Sequence, residues 1–373
     1  MRKVEKLAKR YINQEIDPNL YLFGTRSGKL SDNAKYLFLH YLQRGKKAFF
    51  VLKDLQEFEL LKDKLPVLYQ NELNNIQYFL KARYFFITHD VDDIFPYCNK
   101  DTKVINLWHG TPLKRMGFDS RVDRVWMEEL EQKGAPLPWQ RWDKFCIAHK
   151  NIEEAFMSCC RFTKEQILIS GLPRNDILYR YRENKKKLNM LKKGILKDKS
   201  QKFAKVVLYA PTFRDSLQDD YKIYIKMIEE FVDTFSKNYP EHLLLLRFHP
   251  FTSYTLRNIS PNVLDVSGYS DVQELLLVSD ILISDYSSII FDYSILQRPI
   301  LLFPYDLQKY EEVRGLYFDY YELFSGFGIF QTIKALIEHM PNADNFVDEE
   351  FHTRFNLPNA CENIEQNLLK GEM

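Results

Sequence analysis

The fold is decided by Val278-Ser-Asp-Ile-Leu-Ile-Ser-Asp-Tyr-Ser-Ser-Ile-Ile-Phe-Asp-Tyr-Ser-Ile-Leu-Gln-Arg-Pro-Ile-Leu-Leu-Phe-Pro-Tyr305. Ile281–Ser284 is a short apolar run, Asp285-Tyr-Ser-Ser288 a polar turn, residues 289–296 carry apolar side chains at helical spacing, and residues 299–303 form a second apolar run bounded by prolines. That order predicts strand, turn, helix, strand: a βαβ unit. Ser287 and Ser288 then sit at a helix N-terminus, where free backbone N–H groups, the positive end of the helix dipole and two hydroxyls favour an anion such as a diphosphate. The plainer alternative is that Ser287 only caps the helix.

Two other apolar runs end in the same style. Val206-Val-Leu-Tyr-Ala-Pro-Thr-Phe-Arg-Asp215 delivers Thr212 and Arg214 at the carboxyl end of a strand, and His242-Leu-Leu-Leu-Leu-Arg-Phe-His-Pro250 delivers Arg247 and His249. Arginine grips phosphate through two parallel N–H bonds, so convergence of these sets predicts a diphosphate clamp. In the first half, Asn106-Leu-Trp-His-Gly-Thr-Pro-Leu-Lys-Arg-Met-Gly117 follows a strand that ends near Leu107 and presents Trp108, His109, Gly110, Thr111 and Lys114 at its carboxyl edge. A neutral imidazole there is suited to accept a proton near pH 7.

Working outward, strands are expected at 20–23, 48–52, 83–88, 104–107, 145–148 and 167–170, separated by helices at 32–44, 72–81 and 151–162. Such alternation predicts an α/β chain with parallel, doubly wound sheets. At 373 residues the chain is long enough for two domains. A formal charge of +1 gives no field that calls for nucleic acid. Cys98, Cys146, Cys159, Cys160 and Cys361 are odd in number and lack a CxxC pair, which reads as reduced thiols in a cytoplasmic protein. No apolar run is long enough to span a bilayer, so any membrane role is expected at the surface. Asp90-Val-Asp92 has the spacing of a metal-binding DxD, but a solvated loop is the default, and no metal site is assigned.

Residues 118–142 break the alternation. They hold Trp126, Trp139 and Trp142 among Arg121, Arg124, Lys133 and Arg141, which suits a headgroup-level contact or the rim around a lipid-linked acceptor, the expected reading; the alternative is an insertion whose aromatics pack on the domain. The amino-terminal Met1–Ile12 segment is amphipathic and basic; it can lie on anionic lipid or, as we expect, pack on its domain with the lysines in water. Residues 180–205 carry eleven Lys or Arg against two acidic residues and read as a solvated linker.

Taken together, Leu107-Trp-His-Gly-Thr-Pro-Leu-Lys114, Tyr209-Ala-Pro-Thr-Phe-Arg-Asp215, Arg247-Phe-His-Pro250 and Ser284-Asp-Tyr-Ser-Ser-Ile-Ile-Phe-Asp292 resemble the CDP-glycerol glycerophosphotransferases of Gram-positive wall teichoic acid synthesis. The resemblance implies a GT-B fold, two Rossmann-like domains facing a cleft: an acceptor- and membrane-facing domain at 1–180, a basic linker at 181–204, a CDP-glycerol-binding domain at 205–345 and a helical segment at 346–373. It places the family's two essential histidines on His109 and His249. Donor contacts fall on Thr212, Arg214, Arg247, Asp285, Ser287, Ser288 and Asp292, with Gly110, Thr111 and Lys114 on the opposite wall. It implies a peripheral enzyme on the cytoplasmic face of the membrane, an acceptor linked to undecaprenyl diphosphate, no certain cofactor, and Mg²⁺ as a companion of the donor diphosphate. Oligomeric state, homo-oligomers included, is left open. The absence of an additional N-terminal region points to the short members, first to a primase; chain extension with glycerol or ribitol phosphate, and a non-catalytic nucleotide-binding scaffold, are the alternatives.

Overall fold

The apolar runs become strands that pair in parallel throughout. The computed structural model describes residues 2–199, 202–214, 218–248 and 260–370. Its first sheet contains β1 (Asp17–Phe23), β2 (Lys47–Leu52), β3 (Val67–Tyr69), β4 (Ala82–Ile87), β5 (Lys103–Asn106), β6 (Lys144–Ile147) and β7 (Ile167–Ile169), in the order β3-β2-β1-β4-β5-β6-β7. The second contains β8 (Lys205–Ala210), β9 (His242–Leu246), β10 (Val263–Asp265), β11 (Ile281–Ser284), β12 (Ile300–Leu302) and β13 (Gly328–Ile329), in the order β10-β9-β8-β11-β12-β13. Central strands covered on both faces must be apolar throughout. Ile281–Ser284 is buried at every residue, with its one polar side chain, Ser284, donating to the Ala210 carbonyl at 2.8 Å.

Both orders are Rossmann-like. Each reverses direction between its first and fourth strand, leaving a crevice at the carboxyl ends where open α/β sheets take ligands. The crevices lie beyond β1 and β4 in the first sheet and beyond β8 and β11 in the second.

Several elements differ from expectation. The helix after the Ser287-Ser288 turn runs only over Ile289–Ser294, because Gln297 adopts a left-handed backbone ahead of Pro299. The helix expected over 72–81 divides into a 3-10 turn, Leu73–Asn75, and a short helix, Ile76–Phe79. Within the basic stretch, Lys185–Leu196 is a helix whose Leu188, Leu191 and Ile195 pack on the core while Lys192 pairs with Asp280 at 3.1 Å. The amino-terminal helix Arg2–Tyr11 packs on its domain through Val4, Leu7, Ala8 and Tyr11.

The tryptophan-rich region is mostly interior, which corrects the reading of all three tryptophans as a lipid or acceptor contact. Trp139 and Trp142 are 8% and 5% exposed: Trp142 stacks on Phe145 at 5.6 Å and Trp139 meets Phe118 edge-on. Large rings interleaved with basic residues here supply core, not rim. Trp126, on the helix Arg121–Gln132, is 50% exposed beside exposed Val122 and Val125.

The domains are joined by more than the connecting chain. Leu113–Met116 lies against Gly315–Tyr317, with Arg115 N–H donating to Gly315 O at 3.0 Å and Tyr317 N–H to Leu113 O at 2.9 Å. The last helix, Ala360–Lys370, returns to the first domain and packs on the helix Asp32–Gln43, where Glu365 pairs with His40 and Glu362 with Arg44. No helix among the described residues is long and apolar enough to cross a membrane.

Candidate active site

Where the two crevices face each other lies a cavity of about 360 Å³. The first domain lines it with Trp108, His109, Gly110, Thr111, Lys114 and Arg174. The second contributes Thr212, Arg247, Ser287, Ser288 and Asp292.

His109 is set by the chain on either side of it. Asn106 accepts from Trp108 N–H at 2.7 Å, and Trp108 takes a left-handed backbone, φ 55°, at a cost of about 1–3 kcal/mol for a bulky residue. Buried Asn33 donates to the carbonyls of Leu107 and Trp108 at 3.0 and 2.9 Å. The His109 ring is half-buried and its Nδ1 lies 3.3 Å from the Thr88 carbonyl. A carbonyl only accepts, so Nδ1 carries the hydrogen and Nε2 keeps a lone pair. Burial pushes the pKa of His109 down to about 4, assisted by the positive charges of Arg174, Lys114 and Arg26 and opposed by the Thr88 bond. At neutral pH the ring is therefore an uncharged acceptor.

At Gly110 the two domains are in close contact. A Cβ built there would stand 2.5 Å from Ser288 Oγ and 2.9 Å from Ser288 Cβ, and φ is 152°. Only glycine lets the His109 loop abut the serine turn.

The two serines of the turn differ. Ser287 Oγ accepts from Ile289 N–H at 3.3 Å, a long capping bond, whereas the Ser288 side chain makes no cap. Thr111 Oγ1 and Thr212 Oγ1, on opposite walls, are buried without a hydrogen-bond partner among the described residues, as is Arg174 Nε. Unpaired buried polar atoms are costly, and three around one cavity point to a polar ligand that completes them.

The arginines divide. Arg247 lines the cavity, anchored by donation to the carbonyls of Val266 and Tyr269 at 3.2 and 2.7 Å. Arg214 does not line it, which corrects its assignment to a phosphate clamp: it is 5% exposed and consumed by a bidentate grip on Asp306 and a bond to Asp285. Asp285 is likewise structural, accepting from Thr212 N–H at 2.9 Å and Tyr286 N–H at 2.7 Å. This pair fixes the Thr212 loop against the serine turn. His249 lies outside the described residues.

Arg174 has no counterpart in the sequence reading. From the turn Pro173–Asn175 it reaches Asp32 at 2.9 Å, Asp292 of the other domain at 2.7 Å and the His109 carbonyl at 2.8 Å. Burial works against its charge, but Asp292 and Asp32 outweigh that and raise its pKa. Burial raises that of Asp292, with Arg174 opposing. The available signal was a basic residue beyond a strand's carboxyl end.

No group of three or more His, Cys, Asp or Glu side chains among the described residues is placed to hold a metal ion. Asp285 and Asp292 are each occupied by an arginine. Asp90 of the DxD caps a turn by accepting from Val91 N–H.

The model of the family described as CDP-glycerol:poly(glycerophosphate) glycerophosphotransferase matches residues 7–357. The teichoic acid glycerol-phosphate transferase of Staphylococcus aureus (strain NCTC 8325 / PS 47) is 31% identical over 352 residues, covering 90% of this chain and 87% of that one. The teichoic acid poly(glycerol phosphate) polymerase of Bacillus spizizenii W23 is 30% identical over 355 residues, 90% of this chain and 86% of its own. The teichoic acid glycerol-phosphate primase of Bacillus subtilis 168 is 30% identical over 303 residues, 79% and 73% of the two chains. A variant of the wall teichoic acid polymerase TagF, soaked with CDPG, superposes with a TM-score of 0.79 at 25% identity, covering 100% of this chain and 94% of that one.

Proposed function

The chain belongs to the CDP-glycerol:poly(glycerophosphate) glycerophosphotransferase family, and from that premise we propose that it moves glycerol phosphate from CDP-glycerol to a hydroxyl of an undecaprenyl-diphosphate-linked N-acetylmannosaminyl-N-acetylglucosamine acceptor, releasing CMP. The observation that carries this reading is His109, its Nδ1 against the Thr88 carbonyl, on a loop that abuts the Ser288 turn at Gly110 in a cleft lined by Arg174, Lys114 and Arg247.

In the proposed reaction the acceptor hydroxyl gives its proton to His109 Nε2 as its oxygen attacks the glycerol-bearing phosphorus. The bond from that phosphorus to the CMP oxygen breaks in line. A base so placed contributes about 10²–10⁴-fold. In the free protein burial, assisted by the surrounding cations, keeps His109 a weak base. The anionic donor offsets those cations when it binds, so the ring gains proton affinity when it is needed. Arg247, Ser287, Ser288 and the orphaned threonine hydroxyls meet the charge that develops on the phosphoryl oxygens and the leaving phosphate. His249 is proposed as a second contact to that charge. Mg²⁺ is proposed only as a companion of the donor diphosphate, since Asp285 and Asp292 are each paired with an arginine.

We assign the two-domain arrangement to the GT-B class and the exposed face of Trp126, Val122 and Val125 to the membrane surface, consistent with an acceptor held in lipid. Priming does not follow from chain length: the Bacillus spizizenii polymerase is matched over 86% of its own length, so a chain of this size is not thereby a primase. That similarity favours chain extension as the second reading.

The experiment is CMP release from CDP-glycerol with a short-chain disaccharide diphosphate lipid, bare or already carrying one glycerol phosphate. Turnover confined to the bare acceptor supports priming, and turnover confined to the primed one supports extension. Donor binding with no CMP release on any acceptor would leave a nucleotide-binding scaffold.

A further inference from the structure

The ring beside His109 belongs to no motif matched above. His89, just beyond β4, lies parallel to His109: the planes differ by 1° and the ring centroids are 4.2 Å apart. Its Nδ1 is 3.2 Å from Thr88 Oγ1. Thr88 thus holds both imidazoles, His89 through its hydroxyl and His109 through its carbonyl.

Thr88 is itself fixed. The buried carboxylate of Asp93 accepts from Thr88 N–H at 2.8 Å, Thr88 Oγ1 at 3.1 Å and His89 N–H at 2.8 Å. Because the threonine hydrogen goes to Asp93, its oxygen is left to accept from His89 Nδ1–H. Asn106, whose side chain fixes Trp108, also donates to the His89 carbonyl at 3.1 Å. One hydrogen-bonded hook therefore joins the carboxyl ends of β4 and β5 and ends in two stacked rings.

We propose that His89 is a positioning residue for the transfer, a flat wall that holds the plane of His109 and keeps water from that face, so that Nε2 stays aimed at the acceptor hydroxyl. The inference rests on the reading of His109 as the base. Burial supports it, since it keeps the His89 ring uncharged with a pKa pushed down to about 3. The charged groups that act on the pair are Arg26, Lys53, Lys114 and Arg174, which disfavour a proton, and Asp32, which favours one. A face-to-face neighbour that stayed neutral can shield His109 without competing for its proton.

The action is that of a ring face, so phenylalanine should replace it and alanine should not. The test compares His89→Ala, His89→Asn and His89→Phe in the full chain by two readouts: titration of the His109 ring by NMR, and kcat and KM for CMP release as a function of pH. In His89→Ala and His89→Asn, water reaches the ring, its titration midpoint rises from about 4 toward the ordinary 6.5, and kcat falls about tenfold to a hundredfold with donor KM little changed. In His89→Phe the midpoint stays low and most of kcat survives. An unchanged midpoint in both small variants, or an equal loss of kcat in all three, overturns the proposal. The NMR titration needs no turnover, so silence on every acceptor would count against the assigned activity while the stacking role was still decided by the midpoints.

Discussion

At the scale of single residues the cleft is built on exclusion as much as on contact. Replacing His109 with Asn keeps a polar group but removes the proton acceptor, and turnover should fall about 10²–10⁴-fold while CDP-glycerol affinity, read by calorimetry, changes little. Equal losses in both would remove it as the base. Gly110→Ala should act differently. Its methyl would meet Ser288 Oγ at 2.5 Å, so the domains cannot close fully, and both donor binding and turnover should drop while the isolated fold survives. A donor affinity equal to the parent's would show that the close approach is not needed. Arg174→Met leaves Asp292 charged in a fully buried place, an error worth about 3–5 kcal/mol in denaturant unfolding. Asp292→Asn in the same chain should recover part of that loss. An additive double variant would mean that the two do not work as a pair.

At the scale of elements, legibility followed length and period. Ile281–Ser284 and the carboxyl-end loops at Thr212, Arg247 and His109 could be found because an apolar run of four or more residues bounded by polar turns is a strong strand signal. Strands of two or three residues, such as Val67–Tyr69, Val263–Asp265 and Gly328–Ile329, are too short to display a period and owe their state to the neighbour they pair with. Roles that depend on a distant partner were hidden for the same reason. Arg214 looked like a phosphate ligand because Asp306, which occupies it, is 92 residues away in the chain; Arg174 was not singled out because its partners Asp32 and Asp292 are remote. The helix Arg121–Gln132 carries the element-scale prediction. Trp126→Ser should lower binding to anionic vesicles and turnover on a long-chain lipid acceptor but spare a water-soluble one. Equal turnover on both acceptors would detach this helix from the membrane.

For the whole molecule, stability should depend on acidity through the stacked pair. His89 folds with its pKa held near 3 by burial, against about 6.5 when unfolded, so the unfolded chain binds the extra proton as pH falls below 6.5. Stability from this residue is therefore full above pH 6.5 and is lost on acidification, by up to about 1.4 kcal/mol per pH unit. His89→Phe should lose less stability than the parent between pH 6.5 and 5 in thermal melts; parallel curves would refute the assignment. The return of the carboxyl-terminal helix has a consequence for biogenesis. Ile364 and Cys361 share one apolar cluster with Phe38, Tyr41 and Phe50, and the helix start is fastened by Asp176, which accepts from the N–H groups of Ala360 and Cys361 at 2.8 and 3.0 Å. On the ribosome the first domain emerges early yet waits for the last residues to finish its own interior. A nascent chain stalled short of residue 360 would leave that apolar face of the first domain uncovered, and a truncation there should destabilise the first domain as well as the second.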